Sequence, residues 1–472
     1  MKILLFNPPG AVSVYDKSRI RAAVPRLPSL SLAMIAGALK EDGADVMIED
    51  LSLCPPGAAD DAVASAVKAF KPDFAGVTAT TPLVYEAVRI SDRVKEISRN
   101  ICTVIGGPHA SALPLETLRE SSFDINVAGE GEWAIKKIIK GEKPGPDDGI
   151  YLRDAATAAG VPAAGGRGHS MTLDSLPFPA LGLFKTEKYA CPKVIARRNP
   201  VGPIEISRGC AFNCSFCNKT VHGNRFRIKS AGRVIEELRA LKRLGYREFH
   251  VLDDQFTTDI NRAKVICEEI IRACLDMPWN LRTGIRVDKV DGEFLALAKR
   301  AGCYQIGVGF ESGSQKCLDE VGKGITVQQA YRAVREIRNA GIESAGFFIL
   351  GFPHDTAETM EETINFAINL DPDYAKATIL VPFPGTRLYE EYSRKGLIKT
   401  RDWARYNFHN ANEIYTHPAL GWETLNRYYD MFHRRFYLRP GYLNRRFWKA
   451  IKTGSLVDDI ISGYATVCGR RQ

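Results

Sequence analysis

Apolar runs alternate with helical patterns along the first part of the chain. Short, mostly apolar runs have the length of buried strands, and they occupy residues 2–7, 45–51, 73–79, 102–107 and 125–129. Between them, apolar residues three or four positions apart predict helices at 31–43, near 60–70 and at 85–98. Strands that alternate with helices indicate βα units around a parallel sheet. The pattern therefore predicts a doubly wound (Rossmann-like) α/β domain over residues 1–140.

The same alternation returns over residues 201–400. Apolar runs predict six strands, at residues 203–209, 248–254, 281–287, 304–312, 344–353 and 374–384. Six strand–helix steps are enough for an open partial (β/α)6 barrel, whose chemistry should lie at the carboxyl ends of the strands. Residues 141–200 are rich in Gly, Pro and Ala, and we expect a linker with a connecting hairpin there. Residues 401–472 lack the alternation and are expected to form a helical cap.

Length and composition fit a soluble protein of two or three domains. The chain has 472 residues, of which 45% are hydrophobic and 25% are charged. No apolar run approaches the ~20 residues that span a bilayer, and the N-terminus lacks the pattern of a signal peptide, so a cytoplasmic location is expected. The 11 cysteines are mostly scattered, unlike a secreted disulfide framework. The net charge of +9 is compatible with several kinds of partner.

Glycine-rich loops follow the predicted strands of the first domain. A doubly wound domain binds its ligand at the carboxyl ends of its strands, and glycine there lets the backbone approach a large ligand. The fold alone does not fix the ligand: the domain could bind a nucleotide, a flavin or nothing at all. The strand-end positions are Asn7, Pro8, Pro9, Gly10, residues 78–81, Gly106, Gly107, Pro108, His109, Gly129, Glu130, Gly131 and Glu132.

Three cysteines cluster after the first strand of the second domain. Cys210, Cys214 and Cys217 have the spacing C-x3-C-x2-C and lie on one loop at a strand end. Cubane iron–sulfur clusters are held by cysteine thiolates, and three protein ligands leave one iron open to chelate a small molecule. Two simpler interpretations are a zinc knuckle with His222 as the fourth ligand, and buried packing thiols. The spacing and the place at a strand end favour the cluster.

The sequence C-x3-C-x-aromatic-C at this place resembles the radical S-adenosylmethionine superfamily. In that superfamily the open iron chelates S-adenosylmethionine, and one electron, supplied by a donor such as flavodoxin or ferredoxin, cleaves it to a 5′-deoxyadenosyl radical. The resemblance implies a [4Fe-4S] cluster on the three cysteines, inside a barrel that shields the radical. It also implies S-adenosylmethionine contacts from the aromatic beside the last cysteine and from the later strand ends, namely Phe216, Asp253, Asp254, Arg286, Glu311 and Ser312.

A second resemblance concerns the first domain. The usual Gly-Gly-Glu of the second barrel strand is absent, and Asp253-Asp254-Gln255-Phe256 in its place is similar to the branch with an N-terminal cobalamin domain. The resemblance covers about residues 1–400. It implies cobalamin contacts from Asn7, Pro8, Pro9, Thr80, Thr81, Gly106, Gly107, His109, Gly129, Glu130 and Gly131.

The resemblance also bears on the state of the cobalamin. No Asp-x-His-x-x-Gly follows the first strand, so base-off cobalamin without a histidine from that loop is implied. Thr80, Thr81 and Leu83 are candidates for the lower face of the cobalt. His109 is a rival ligand, although we favour a role for it in shaping the pocket.

The leading functional hypothesis from this resemblance is a methyltransferase, in which methylcobalamin donates its methyl group to a substrate carbon made radical by hydrogen abstraction. That chemistry needs no dedicated protein acid or base, and no Ser-His-Asp or paired-carboxylate pattern assigns a catalytic residue. The expected substrate is a small molecule, a lipid or a tetrapyrrole.

Two other classes of enzyme are weighed against it. A radical oxidative cyclase or rearranging enzyme, similar to Mg-protoporphyrin monomethyl ester cyclase, uses the same two domains. A methylthiotransferase should carry three further N-terminal cysteines, and only Cys54 and Cys102 lie there. No RNA-binding module is recognisable, so nucleic acid is not an expected partner.

Cationic and aromatic residues interleave at 434–449, just beyond the barrel. Six positive charges and five aromatics in these sixteen residues suit peripheral contact with an anionic membrane surface. Alternatively, Pro440-Gly441 separates two helices whose aromatics pack on the barrel while the arginines reach water or acidic partners. We favour the packing interpretation.

Overall fold

The first domain is built on a six-stranded sheet. The computed structural model describes residues 1–10, 25–145, 148–156, 172–408 and 411–460. The strands are β1 (Lys2–Asn7), β2 (Asp45–Asp50), β3 (Phe74–Thr78), β4 (Cys102–Gly106), β5 (Ile125–Val127) and β6 (Ile150–Leu152). The helices are α1 (Leu30–Glu41), α2 (Ala59–Phe70), α3 (Val84–Ile97), α4 (Pro108–Ala112), α5 (Pro114–Arg119), α6 (Gly131–Ile139) and α7 (Arg153–Ala156).

The order of these strands fixes where a ligand can bind. The order is β2-β1-β3-β4-β5-β6, and β1 to β5 are parallel. The chain therefore reverses its direction of winding between β1 and β3, and ligands of such sheets bind at the carboxyl ends beside that reversal. The doubly wound fold predicted from the alternation is confirmed, because parallel strands covered on both faces need near-continuous apolar runs such as that of β1.

Strand β6 lies inside the segment that was predicted as a linker. It pairs antiparallel with β5 and extends the first sheet. Its two buried residues, Ile150 and Tyr151, are too short an apolar run to stand out in a Gly- and Pro-rich stretch. Residues 157–171 of the predicted linker lie outside the described part of the chain.

The second domain is a partial barrel of six parallel strands. Its strands are β7 (Val201–Ile204), β10 (Glu248–Val251), β11 (Trp279–Ile285), β12 (Cys303–Glu311), β13 (Glu343–Leu350) and β14 (Tyr374–Ile379), with a small hairpin of β8 (Ser207–Arg208) and β9 (Arg227–Ile228) after β7. The barrel strands are neighbours in chain order and the sheet is open between β14 and β7, as predicted.

Helices cover the outer face of this barrel. They are α8 (Ala231–Arg243), α9 (Ile260–Ala273), α10 (Gly292–Arg300), α11 (Gln315–Glu320), α12 (Val327–Asn339) and α13 (Ala357–Leu370). Aromatic rings fill the layer between strands and helices. Trp279 stacks on Phe249 with ring centres 5.6 Å apart, and Phe294 of α10 belongs to the same cluster.

A helical region follows the barrel, as predicted. It consists of α14 (Arg387–Arg394), α15 (Ala411–Ile414), α16 (Trp422–Tyr437) and α17 (Pro440–Thr453), and residues 461–472 lie outside the described part of the chain. Helix α16 packs against α13 and β14, with the rings of Phe432 and Phe348 5.2 Å apart. No helix among the described residues has both the length and the apolar content to cross a membrane.

The basic and aromatic stretch 434–449 divides between packing and exposure. Several of its arginines bind carboxylates of the barrel or of the following turn, and Tyr442 is buried. Phe447 and Trp448 are 48% and 57% exposed. The pairing supports the packing interpretation for the arginines, and membrane contact stays a prediction. The ion pairs are Arg435–Glu361, Arg439–Asp371, Arg445–Asp371 and Arg446–Asp459.

Candidate active site between the two domains

A cavity of about 760 Å³ lies where the carboxyl ends of the two sheets face each other. Strand-end loops of the first domain form one wall, and the cysteine loop forms the other. The predicted cofactor residues in these walls are Asn7, Pro8, Thr80, Gly106, Gly107, Gly129, Glu130, Gly131, Cys210, Cys214, Cys217 and Asp254. Those that do not line the cavity are Pro9, Thr81, His109, Phe216, Asp253, Arg286, Glu311 and Ser312. Both predicted cofactor sites thus open into one space.

Two aspartates at the end of β10 anchor the base of the cysteine loop. Asp253 is buried and accepts hydrogen bonds from the backbone N–H of Ile206 at 2.6 Å and the hydroxyl of Ser207 at 2.7 Å. Burial raises the pKa of Asp253 to about 7. Asp254 accepts a hydrogen bond from the backbone N–H of Gly209 at 2.8 Å and also lines the cavity. These carboxylates therefore fix the start of the loop that carries the thiols.

The turn into Cys210 needs a glycine. Gly209 has a φ of +80°, in the left-handed region that L residues rarely adopt. A Cβ atom there would lie 2.3 Å from the carbonyl oxygen of Arg225. The hairpin of β8 and β9 can close over the loop only because this position has no side chain.

Arg286 holds the middle of the cysteine loop from the end of β11. Its guanidinium lies 3.6 Å from the centre of the Phe212 ring, at stacking distance for a cation–π contact. It donates hydrogen bonds to the carbonyl oxygens of Lys323 at 2.5 Å and Gly324 at 3.0 Å, and to the carboxylate of Asp288 at 2.9 Å. Arg286, predicted as an S-adenosylmethionine contact, is thus positioned to act on the loop through Phe212.

The three thiols of the cysteine loop line the cavity. A hydrogen bond from Cys217 lowers the pKa of Cys214 to about 6, with burial opposing and the Lys323 ammonium adding to the effect. In the described part of the chain, no three His, Cys, Asp or Glu side chains are grouped so as to hold one metal ion. Cysteine thiolates are the ligands of cubane iron–sulfur clusters. The choice of these three cysteines as cluster ligands rather than as a zinc knuckle stays a prediction from the sequence.

The ends of β12 and β13 lie behind the cysteine loop. Glu311 has a φ of +64° and its carboxylate binds the Lys323 ammonium at 2.6 Å, with both side chains nearly buried. Non-glycine residues in the left-handed region are frequent at functional sites, where the surroundings hold them in place. The ring of Phe216 packs on Phe352, 5.6 Å away, and the Ser312 hydroxyl lies 3.1 Å from that of Thr363.

Gly107 shapes the wall on the side of the first domain. It follows β4 with a φ of +100°, and a Cβ atom would lie 2.8 Å from the Thr78 hydroxyl and 2.9 Å from the carbonyl oxygen of Ala79. The backbone of β3 and β4 can approach the cavity closely only with glycine here. Together with Asn7 and Pro8 after β1, this leaves an open edge at the point where the winding reverses. The predicted corrinoid contacts Asn7, Pro8, Gly106 and Gly107 all lie along this edge.

His109 does not reach that edge. It is 1% exposed, its Nδ1 lies 3.3 Å from the Thr81 hydroxyl, and its ring meets Trp403 edge-on at 5.2 Å. Burial lowers the pKa of His109 to about 4. Its position behind the wall, against the segment that follows the barrel, supports the prediction that it shapes the pocket.

A buried ion network joins the two domains beside the cysteines. Arg208 is 3% exposed and its guanidinium binds Glu205 at 2.6 Å and Glu130 at 2.9 Å, and it also contacts Glu132. Glu130 and Glu132 belong to the first domain, whereas Arg208 lies two residues before Cys210. Buried charges are tolerated when they are paired. The network therefore fixes the cysteine loop against the first domain.

Glu130 is the centre of this network. Besides Arg208, it binds Arg227 and lies 3.4 Å from the Nδ1 of His222. Burial would raise its pKa, but the hydrogen bonds from His222 and Arg227 hold the pKa of Glu130 well below its usual range. Arg208, Arg227 and Glu205 were not among the predicted site residues. The one signal in the sequence was a pair of oppositely charged segments at predicted strand ends. Arg208 directly precedes Gly209-Cys210, and two glutamates lie in the Gly-Glu-Gly-Glu segment 129–132.

Comparison with known proteins identifies both domains. The profile of the Radical SAM superfamily matches residues 204–367, and the profile of the B12 binding domain matches residues 19–139. An uncharacterized methyltransferase of Pyrococcus horikoshii is 35% identical over 93% of each chain. An anaerobic magnesium-protoporphyrin IX monomethyl ester cyclase of Rubrivivax gelatinosus is 31% identical, over 89% of this chain and 76% of the relative.

A solved structure shares the fold. The radical S-adenosylmethionine methyltransferase TsrM from Kitasatospora setae, with cobalamin and a [4Fe-4S] cluster bound, superposes with a TM-score of 0.69 at 20% identity, over 84% of this chain and 78% of that chain. The two matching profiles assign a [4Fe-4S] cluster, S-adenosylmethionine and cobalamin as the cofactors. The chain therefore belongs to the radical S-adenosylmethionine enzymes that carry an N-terminal cobalamin-binding domain.

Proposed function

We propose that this enzyme methylates an unactivated carbon atom of a small-molecule, lipid or tetrapyrrole substrate. The observation that carries the proposal is the single cavity of about 760 Å³ that the cysteine loop and the corrinoid-side loops line together. When bound, the cofactors supply a 5′-deoxyadenosyl radical on one side and a transferable methyl group on the other. A substrate carbon that enters this cavity would meet both groups in one enclosed space.

The chain's own residues hold and enclose this space. Asp254 and Arg286 fix the cysteine loop through Gly209 and Phe212. The apolar side chains of Leu5, Val77, Val104, Ile105 and Leu252 line the cavity, which limits the access of water to a radical.

Carboxylates around the cavity are engaged with partners of the chain itself. Asp253 and Asp254 accept backbone N–H groups, and Glu130, Glu132 and Glu311 are ion-paired. Such carboxylates suit positioning rather than proton transfer. The arrangement supports a reaction in which no protein acid or base takes part.

We further propose that the corrinoid binds base-off, without a histidine from the loop after β1. The loop after β1 contains Asn7, Pro8 and Pro9 in place of a histidine motif. His109 is buried against Trp403, and His222 is bonded to Glu130.

The test uses anaerobically reconstituted enzyme with a flavodoxin or ferredoxin system as reductant. We expect about four irons and one corrinoid per chain, and cluster spin resonance that changes when S-adenosylmethionine is added. Replacing Cys210, Cys214 and Cys217 together by Ala should abolish the iron and leave the corrinoid. Full iron content in that variant, or failure to retain a corrinoid with the cluster intact, would contradict the assignment.

A radical cyclase is the second candidate, because the cyclase of Rubrivivax gelatinosus is similar over most of the chain. The two reactions differ in their use of S-adenosylmethionine. Methyl transfer consumes a second molecule to restore the methyl group and so gives S-adenosylhomocysteine together with 5′-deoxyadenosine. Cyclisation gives 5′-deoxyadenosine alone. Incubation with methyl-labelled S-adenosylmethionine and an extract from a deletion strain, followed by mass spectrometry, separates the two.

A further inference from the structure

The interior of the barrel is lined by side chains that do not fill it. On β13 and β14, the residues that face the helices are buried; Phe348, for example, meets rings of α13 and α16. The alternate residues face the interior and remain partly exposed, among them Phe347, Ile349, Lys376 and Thr378. Partial exposure on the inner face of this curled sheet indicates accessible space inside the barrel.

Two cations lie in this interior. Arg282 of β11 shares a strand face with Asn280, which hydrogen-bonds to neighbouring strands, and Lys376 of β14 lies opposite Phe347. Burial and the charge of Arg282 lower the pKa of Lys376. The two side chains therefore interact electrostatically although their strands are not neighbours, because the sheet curls.

The charge of Lys376 is not neutralised within the described part of the chain, where no carboxylate pairs with it and no acceptor hydrogen-bonds to it. A buried lysine whose charge is not compensated lowers the stability of the fold. Arg282 precedes an irregular stretch of β11 that ends at Ile285, and Lys376 lies three positions before Ile379, the end of β14. At the rise of a strand, that is about 10 Å below the rim that carries the cysteine loop.

The opposite end of the barrel is closed. The Tyr304 hydroxyl donates to the carbonyl oxygen of Ile195 at 2.9 Å or to the carboxylate of Glu248 at 2.6 Å. The same carboxylate accepts the backbone N–H groups of Arg197 and Arg198 at 2.8 and 2.7 Å. This buried network pins residues 195–198 across the amino ends of the strands, so a ligand reaches the two cations from the side of the cysteine loop.

We propose that Arg282 and Lys376 bind an anionic group of the substrate, a carboxylate or a phosphate or phosphonate, inside the barrel. The anion compensates the charge of Lys376 and receives charge-assisted hydrogen bonds from Lys376 and Arg282. The rest of the substrate then extends toward the rim, where the carbon to be modified meets the radical. The identification of the anionic ligand as part of the substrate rests on the proposed function, whereas the anion site itself does not.

The test measures anion binding directly. Methylphosphonate and propanoate are titrated into anaerobically reconstituted full-length enzyme and followed by ligand-detected NMR. At least one of them should bind to the wild type. Its affinity should fall by about tenfold or more in Lys376→Met, stay within about threefold in Lys376→Arg, and be unchanged in Lys316→Met, which removes an exposed lysine of α11. A preference between the two probes tells a phosphorus oxyanion from a carboxylate.

Three results would overturn the assignment. The first is absence of binding to the wild type, and the second is equal affinity in Lys376→Met. The third is a loss, in that variant, of the change in cluster spin resonance that S-adenosylmethionine induces, because the cations would then bind S-adenosylmethionine rather than the substrate. Iron content reports whether the variant folds. As a measurement that needs no variant, the bound probe should slow acetylation of Lys376 in the wild type. Corrinoid retention is measured on the same samples. Loss of the corrinoid would contradict the proposed function, whereas loss of anion binding alone would contradict the anion site.

Discussion

Removing Arg208 should weaken the junction between the domains more than any surface substitution. The Arg208→Met change keeps an unbranched apolar stem but removes the guanidinium, and so leaves Glu130, Glu132 and Glu205 buried without their shared cation. Breaking a buried ion pair by removing one partner costs about 3–5 kcal/mol, because the remaining charge stays desolvated. We expect a loss of that size in the free energy of the first urea-unfolding transition, measured at neutral pH.

A matched control is available in the first domain. Arg89 pairs with Asp60 at 2.9 Å, but both side chains are about half exposed, at 51% and 52%. Arg89→Met should cost under about 1 kcal/mol. Adding Glu132→Gln to the Arg208→Met variant should restore part of the lost stability, since Arg208 is the ion-pair partner of Glu132 in the described part of the chain.

The pH dependence gives a second check. The pKa of Glu130 is lowered in the folded protein, so its ionised form stabilises the fold above its ordinary value of 4.5, and this contribution is lost as the pH falls below that value. The penalty of Arg208→Met should therefore shrink in acid, where the carboxylates can take up protons. The reasoning is wrong if Arg208→Met costs no more than Arg89→Met at neutral pH.

Three further results are expected. The pKa of His109 falls from 6.5 to about 4 on folding, so protonation of His109 in acid favours the unfolded state. Between neutral pH and pH 4, the free energy of urea unfolding of the wild type should therefore drop by about 3 kcal/mol relative to that of His109→Gln. Parallel pH curves for the two proteins would contradict this. Gly107→Ala should lower corrinoid retention, measured by absorbance after gel filtration, whereas Gly43→Ala, which has a φ of +78° and open space around it, should retain it. Since Arg445 and Arg446 are paired with carboxylates, the protein should stay in the supernatant with anionic vesicles at moderate salt; pelleting would favour membrane contact.

The fold could be predicted because its signals are local. Parallel strands buried on both faces need apolar runs, and the helices between them need a periodic apolar face. Strand β6 was not predicted, because Ile150 and Tyr151 form too short an apolar run in a segment rich in glycine. The cysteine loop was equally visible, since its three thiols lie within eight residues.

The roles of single site residues were harder to predict, because they depend on partners far along the chain. Asp254 lies at the predicted strand end, but its bond to the N–H of Gly209 joins residues 45 positions apart. Arg208 and Glu130 are 78 positions apart. Lys376 looks in the sequence like the polar side of an alternating strand, and only the curl of the sheet turns that side inward.

The ion network beside the cysteines also limits how this enzyme can be taken apart or recombined. A barrel expressed alone would keep Arg208 with Glu205 but lose both glutamates of the first domain, and its cysteine loop would lose the surface that holds it. A chimera with the first domain of a relative would meet the same difficulty unless acidic residues stood at the positions of Glu130 and Glu132. The charges at this boundary must therefore be exchanged together, so the two domains are expected to behave as one unit in engineering and in inheritance.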